Sequence, residues 1–229
     1  MKRVAIIGAG ISGLFIANLF KRNSDYQITI YEKNFKINLE EGYGVQLSVN
    51  SIKLLNEIGF DKLQSNEKFN PDKIIFYSNK SLNKICELNI KNFNSKDCKY
   101  TLLKRSTLIS FLKRDLGDCI KTGYSISNID HQDKQIKLSF ENNQIIECDL
   151  LIISDGVFSK SKSLISNNQI KPKYNDTLAI RGILNKSRKN IDSKNISIVL
   201  GADFHQVIYP VNTSGDLNFI AIMKYQLSI

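Results

Sequence analysis

The stretch that most constrains this chain is Arg3 to Gly13, RVAIIGAGISG. Val4-Ala5-Ile6-Ile7 is an apolar, β-branched run of the kind that fills a buried parallel strand, and it stops at glycines spaced Gly8-x-Gly10-x-x-Gly13. From Ser12 the sequence SGLFIANLFKR reads as a mostly apolar helix, so the glycines lie between strand and helix. Gly8 permits the tight turn, Gly10 lets a pyrophosphate approach the backbone, and Gly13 lets helix and strand pack closely. The helix N-terminus, with Ser12 in its first turn, offers free N–H groups to phosphates. Residues 27–31 read as the next parallel strand and end in Glu32, about 20 residues past the last glycine, where a carboxylate accepts hydrogen bonds from a ribose diol. A dinucleotide whose adenosine ribose lacks a 2′-phosphate is implied, and NAD and FAD both use such a unit.

The remainder alternates between two kinds of pattern. Glycines 42 and 44 lead through a loop into a short helix with Asn50 as N-cap and Gly59 just past its end. Residues 73–77 and 83–88 flank a polar turn and read as an antiparallel hairpin, which signals a second sheet. From Tyr100 a helical period returns, with Arg105, Leu108, Ile109, Leu112 and Leu116 on one stripe and Gly117 as a stop. Short strands are expected at 125–129, 135–140 and 144–147. Asp149-Leu-Leu-Ile-Ile153 reads as another buried parallel strand, ending in Ser154-Asp155-Gly156. Beyond Lys171, segments 177–184, 196–200, 206–209 and 217–225 are strand-like. The expected class is α/β with an interleaved antiparallel β-sheet. Residues 1–70 and 100–170 are assigned to the dinucleotide-binding domain, and 71–99 and 171–229 to the second domain. Because the chain stops directly after a strand, it reads as lacking a C-terminal part.

Composition narrows the partners. The net charge of +10 comes from lysines scattered along 229 residues, with no dense basic block or aromatic–basic interleaving, so no nucleic-acid partner is expected. No apolar run is long enough for a membrane span and no room is left for a signal peptide, which places the chain in the cytoplasm. The four cysteines are far apart without a C-x-x-C, and with only two histidines neither a disulfide framework nor a metal site is expected. The sequence leaves the oligomeric state open.

Two more positions carry candidate chemistry. Asp155-Gly156 falls beyond the carboxyl end of a parallel strand, where open α/β sheets bind ligands. Arg105, at a helix start, is electrostatically misplaced unless an anion lies nearby.

Three motifs together, Gly8-Ala-Gly-Ile-Ser-Gly13 with Glu32, Arg105-Ser-Thr-Leu-x-x-x-Leu112, and Asp149-Leu-Leu-Ile-Ile-Ser-Asp155-Gly156-Val-Phe-Ser159, resemble in order the signatures of the single-component FAD-dependent aromatic hydroxylases. Gly44-Val-Gln-Leu-Ser-Val-Asn50, Ala179-Ile-Arg-Gly182 and Gly201-Ala-Asp-Phe-His-Gln-Val-Ile-Tyr-Pro210 are most similar to the salicylate and 3-hydroxybenzoate hydroxylase branch. The resemblance implies a Rossmann-like FAD-binding domain and a β-sheet substrate domain. It implies an enzyme that uses NADH or NADPH and O2 to hydroxylate a small phenolic or hydroxybenzoate-like ring through a flavin C4a-hydroperoxide. Glu32 would hold the adenosine ribose, Ile126 would lie near the adenine, and Arg105 would contact the flavin's phosphate or ribityl region. Asp155, with Gly156, would serve flavin and NAD(P)H. Ser154, Lys162 and Val49 depart from residues the family prefers, and its second flavin motif, a Gly-Asp pair past the substrate sheet, is not in this sequence.

His205, Val207 and Tyr209 alternate on one face of a strand, so His205 and Tyr209 can reach one space. Histidine titrates near neutrality, which makes His205 the candidate base for a phenol, with Tyr209 beside it. Two other readings remain: a non-catalytic FAD-binding remnant, and an NAD-linked dehydrogenase that would leave the hairpin and Asp155-Gly156 without a purpose.

Overall fold

The computed structural model describes residues 1–229 apart from 38, 40–42, 133–134, 167, 185–193 and 227–229. In chain order its elements are β1 (Lys2–Ile7), α1 (Ile11–Lys21), β2 (Tyr26–Glu32), β3 (Gly44–Leu47), α2 (Val49–Asn56), β4 (Lys68–Phe69), β5 (Lys73–Ser78), β6 (Lys84–Asn89), β7 (Thr101–Lys104) and α3 (Arg105–Lys113). There follow β8 (Ile120–Thr122), β9 (Ile126–Gln132), β10 (Gln135–Phe140), β11 (Ile145–Cys148), β12 (Leu150–Ile153), α4 (Lys160–Ser166), β13 (Thr177–Leu184), β14 (Ile196–Leu200), β15 (Phe204–Pro210) and β16 (Leu217–Lys224). They form two compact units, Met1–Leu39 with Ile109–Lys173, and Glu40–Leu108 with Tyr174–Ile229.

The first unit is built on a parallel sheet of order β12-β1-β2-β8. Val4 to Ile7 are buried because β1 lies inside that sheet. Ala5, Ile7 and Tyr31 pack with Ile126, Leu138, Phe140 and Cys148 of the antiparallel sheet β11-β10-β9, so the two sheets share one core. Helix α1 buries Gly13, Leu14 and Ala17. The side-chain amide of Asn18 donates to the carbonyls of Leu14 (2.8 Å) and Leu112 (2.7 Å), which ties α1 to the end of α3. β12 differs from its expected burial: Leu150 and Ile153 are 38% and 36% exposed, because β12 is the edge strand of the sheet.

The second unit contains a six-stranded sheet, β13-β16-β15-β14-β5-β6, and a small sheet, β3-β7-β4. The expected hairpin is β5 with β6, paired antiparallel, and it joins the late strands through a parallel pairing of β14 to β5. That parallel pairing is a departure from an all-antiparallel sheet. Tyr209, Val211, Ile196 and Leu102 lie in the core between the two sheets. Two local expectations are corrected. Residues 44–47 form a strand rather than a loop, because they pair with the strand at 101–104, for which no element was expected, while α3 opens at Arg105 as expected. Ser48, not Asn50, is the N-cap of α2. Among the described residues no helix is long and apolar enough to cross a membrane.

Candidate functional site

The first unit's site starts at the glycine turn. Gly8 has a left-handed φ of 100°, and a Cβ there would lie 2.5 Å from the carbonyl oxygen of Ser154. A Cβ on Gly13 would lie 2.0 Å from the carbonyl oxygen of Gly8, so both positions require glycine. Gly10 is different. It is the N-cap of α1, and a Cβ there would meet nothing within 4 Å, so space is open in front of the helix's free N–H groups. The first turn of α1 holds no acidic residue to oppose an anion. Ser154, the departure from the family pattern, has a local role: its hydroxyl donates to the carbonyls of Ile7 (2.8 Å) and Gly8 (3.2 Å), fastening the end of β12 to the turn.

Beside this turn lies a cavity walled by Gly8, Tyr31, Glu32, Ile126 and Asp155, with Phe158 and Lys160 also on its lining. The structure therefore brings together Gly8, Glu32, Ile126 and Asp155, residues spread over most of the first unit's sequence. Glu32 is at the end of β2. Its Oε2 accepts from the Ala9 N–H at 2.9 Å and its Oε1 from the Asn34 N–H at 3.0 Å. A carboxylate has about four acceptor positions, so two remain for a diol. Ile126 is buried at the start of β9. Asp155 Oδ2 accepts from the Ser161 N–H at 3.1 Å, whereas Oδ1 is buried without a hydrogen-bond partner among the described residues. An unpartnered carboxylate oxygen in a cavity wall requires a donor to offset its desolvation. Gly156 follows with a φ of 81°. Free N–H groups at a helix start, a carboxylate with spare acceptor capacity and an orphaned carboxylate oxygen fit a dinucleotide.

In the second unit, Arg105 opens α3, and its backbone N–H donates to the Tyr43 carbonyl at 2.7 Å. His205 and Tyr209 lie on β15, in the interior of the six-stranded sheet. Their alternation places them on one face with Val207 between. His205 is half-buried, and its ring has no hydrogen-bond partner among the described residues. Tyr209 is 4% exposed, and burial pushes its phenol up to about 12 although Arg181 and a hydrogen bond with Gln46 act the other way.

Sequence reasoning did not assign roles to the residues around Tyr209. Gln46 on β3 accepts from the Tyr100 hydroxyl at 2.9 Å, and it also favours the ionised form of Tyr209, so one amide acts on two tyrosines. The Arg181 guanidinium lies 6.0 Å from the centroid of the Tyr43 ring. The Gly44 N–H donates to Asn218 Oδ1 at 2.6 Å, and a Cβ on Gly44 would come within 2.7 Å of both Asn218 and Tyr209. Gln46 and Arg181 stand inside motifs that carried the resemblance, which was the available signal. Tyr100 carried none.

Fold and cavity together define a class: a Rossmann-like dinucleotide-binding unit interleaved with a β-sheet unit, the fold of the FAD-binding hydroxylases. Residues 6–37 match the NAD(P)-binding Rossmann-like domain. The crystal structure of Klebsiella pneumoniae HpxO complexed with FAD and uric acid superposes with a TM-score of 0.87 at 16% identity, over 100% of this chain and 58% of that one. In sequence, the chain is similar to proteins named as hydroxylases and monooxygenases. It is 23% identical to salicylate hydroxylase of Pseudomonas putida over 97% of this chain and 55% of that protein. It is likewise 23% identical to 3-amino-4-hydroxybenzoate 2-monooxygenase of Streptomyces cremeus, over 96% of this chain and 56% of that protein. The chain thus spans little more than half the length of these relatives.

Proposed function

We propose that this chain supplies the FAD-binding unit and part of the substrate-binding sheet of an NAD(P)H-linked monooxygenase that hydroxylates a small phenolic ring. The carrying observation is the cavity in which Glu32, with spare acceptor capacity, and Asp155, with an orphaned oxygen, flank the glycine turn. The overall reaction takes ring-H, O2, NAD(P)H and a proton to ring-OH, NAD(P)+ and water. FAD, when bound, accepts the two electrons of NAD(P)H and activates O2.

The chain's own residues bind, orient and move a proton. Glu32 receives the adenosine ribose, Ile126 the adenine, and the backbone at Gly8, Gly10, Ser12 and Gly13 the pyrophosphate. Arg105 holds a flavin phosphate or ribityl oxygen, and Asp155 with Gly156 serves the flavin and NAD(P)H. On the sheet, His205 takes the phenol proton on an imidazole nitrogen, making the ring carbon more nucleophilic. Tyr209, whose phenol titrates near 12, stays neutral at ordinary pH, so it orients substrate by hydrogen bonding and does not act as the base.

Flavin fluorescence quenching on titration with the purified chain tests the first step. Saturable FAD binding that weakens in Glu32→Ala is expected. Binding of NADH with none of FAD would replace this reading with a nicotinamide-linked dehydrogenase. In flavin-loaded protein, hydroxybenzoate should accelerate NAD(P)H oxidation, and failure of a panel of phenols to do so would remove the aromatic substrate.

A further inference from the structure

A second cavity, of about 470 Å3, opens on the second unit and is walled by α2, the turn Phe60–Lys62 and the stretch 96–101. Three lysines line it, Lys68, Lys96 and Lys99, and none is ion-paired among the described residues. Asp61 and Asp97 line it too, leaving one positive charge in excess. The volume lies within the range of small-molecule sites.

Two features separate this cavity from an ordinary solvated patch. The Lys68 ammonium lies 5.3 Å from the centroid of the Phe60 ring, and its pKa is lowered by burial despite the nearby Asp61 charge. Its desolvation is thus offset only in part within the chain. Asn56 donates from Nδ2 to the Asp97 carbonyl at 2.8 Å, which leaves Oδ1 shut from bulk water without a hydrogen-bond partner among the described residues. The far wall is also held in place. The Tyr100 N–H donates to Asn94 Oδ1 at 2.8 Å, and Asn70 Nδ2 donates to the Tyr100 carbonyl at 2.9 Å and to Thr101 Oγ1 at 3.0 Å.

We propose that this cavity binds a small hydroxylated anion, a phosphate or carboxylate that also carries free hydroxyl groups, at a site separate from the dinucleotide cavity. The two halves of that description come from opposite needs. The partly desolvated Lys68 ammonium calls for an anionic oxygen, which makes short charge-assisted hydrogen bonds with lysine, and the exposed Lys96 and Lys99 add positive charge on the same lining. The Asp61 and Asp97 carboxylates and Asn56 Oδ1 are acceptors, and they call for donors. A bare anion satisfies the lysines but faces two carboxylates, and a neutral polyol does the reverse. A ligand with both groups satisfies each set. Nothing in this requires the flavin, so the site stands or falls independently of the proposed reaction.

The test is an NMR titration of the 15N-labelled chain with glycerol 3-phosphate, glycerate, inorganic phosphate and glycerol. Saturable amide shifts at Asn70 and residues 96–99 are expected with glycerol 3-phosphate or glycerate, and the one acting at lower concentration identifies the anionic group. Inorganic phosphate should bind more weakly, and glycerol should give no saturable shift. Lys68→Met should weaken binding about tenfold, the scale of one charge-assisted contact. Lys99→Gln, at an exposed position, should also weaken it and serves if Lys68→Met does not fold. Unchanged affinity in the folded lysine variants, equal binding of bare phosphate, or no saturable shift up to about 10 mM ligand would overturn the proposal.

Discussion

The two units present their candidate sites in opposite ways. In the first, the surface proposed to receive phosphates is main chain: the turn from Gly8 to Gly13 and the N-terminus of α1, with Glu32 and Asp155 as the side chains of the adjoining cavity. In the second, the cluster around Tyr209 is made of side chains from distant strands and the segments beside them: Gln46 on β3, Arg181 on β13, and Tyr100 just before β7. Main-chain N–H groups survive almost any substitution that keeps the glycines. A side-chain cluster changes its chemistry with each replacement. The TM-score of 0.87 at 16% identity shows how far side chains can change while the fold stays the same.

The strongest way to break this comparison is to alter the turn. Gly13→Val places methyl groups where a Cβ alone already lies 2.0 Å from the Gly8 carbonyl oxygen, so the first unit should lose about 3 kcal/mol or more in urea unfolding. Gly10→Ala is its partner experiment. A Cβ there meets nothing within 4 Å, so stability should hold while flavin affinity falls, because the methyl group occupies the approach of the pyrophosphate. Equal loss of stability in both variants would mean that the turn is purely structural.

Glu32→Ala comes next in size. Loss of the acceptor for a ribose diol should weaken FAD binding by about 1.5–3 kcal/mol, read from fluorescence titration. Because Glu32 also accepts from the Ala9 N–H at 2.9 Å, part of the loss should appear as lower stability without ligand. Glu32→Gln, which keeps one carbonyl acceptor, should recover some of each.

The same contrast explains what could be read before the structure. The β1–turn–α1–β2 unit was legible because each requirement is local: glycine where φ is 100°, glycine where a helix meets a strand, an acid at the end of the next strand. The late strands β13 to β16 were legible through their alternation, but the parallel pairing of β14 to β5 was not, since a pairing between residues about 120 apart leaves no local pattern. For the same reason β3 was read as loop and β7 was not anticipated, each being only four residues long; each is a strand because the other lies beside it. Gln46 and Tyr100 meet Tyr209 only through that pairing. The orphaned oxygen of Asp155 is likewise a property of packing that composition does not encode.

A smaller effect sharpens the second unit. In the folded chain Tyr209 titrates near 12, whereas an unfolded tyrosine titrates near 10.0. Between those values the unfolded chain holds fewer protons than the folded one, so this group's contribution to stability is constant below pH 10 and falls as pH rises toward 12. Tyr209→Phe removes that dependence. The stability difference between wild type and variant should therefore shrink from pH 10 upward, and the tyrosinate absorbance titration should lose a late component. Parallel curves for the two proteins would place Tyr209 in contact with solvent.

The smallest effect on the fold is expected at His205. Its ring is half-buried without a hydrogen-bond partner among the described residues, and β15 is held by backbone pairing to β14 and β16, where His205 faces Leu200 and Ile222. His205→Asn should therefore change stability by no more than about 0.5 kcal/mol and leave flavin affinity unaltered. Its consequence should appear only in the chemistry of the flavin-loaded protein. Asparagine keeps hydrogen bonding but cannot take the phenol proton, so hydroxylation should slow by about 10²-fold. Oxidation of NAD(P)H should continue, because the groups proposed to hold flavin and nicotinamide are unchanged, and its electrons should leave as hydrogen peroxide instead of water and product. The decisive quantity is product formed per NAD(P)H consumed. A low ratio with unchanged stability assigns the proton to His205, and full coupling in the variant would show that the sheet activates its substrate by another group.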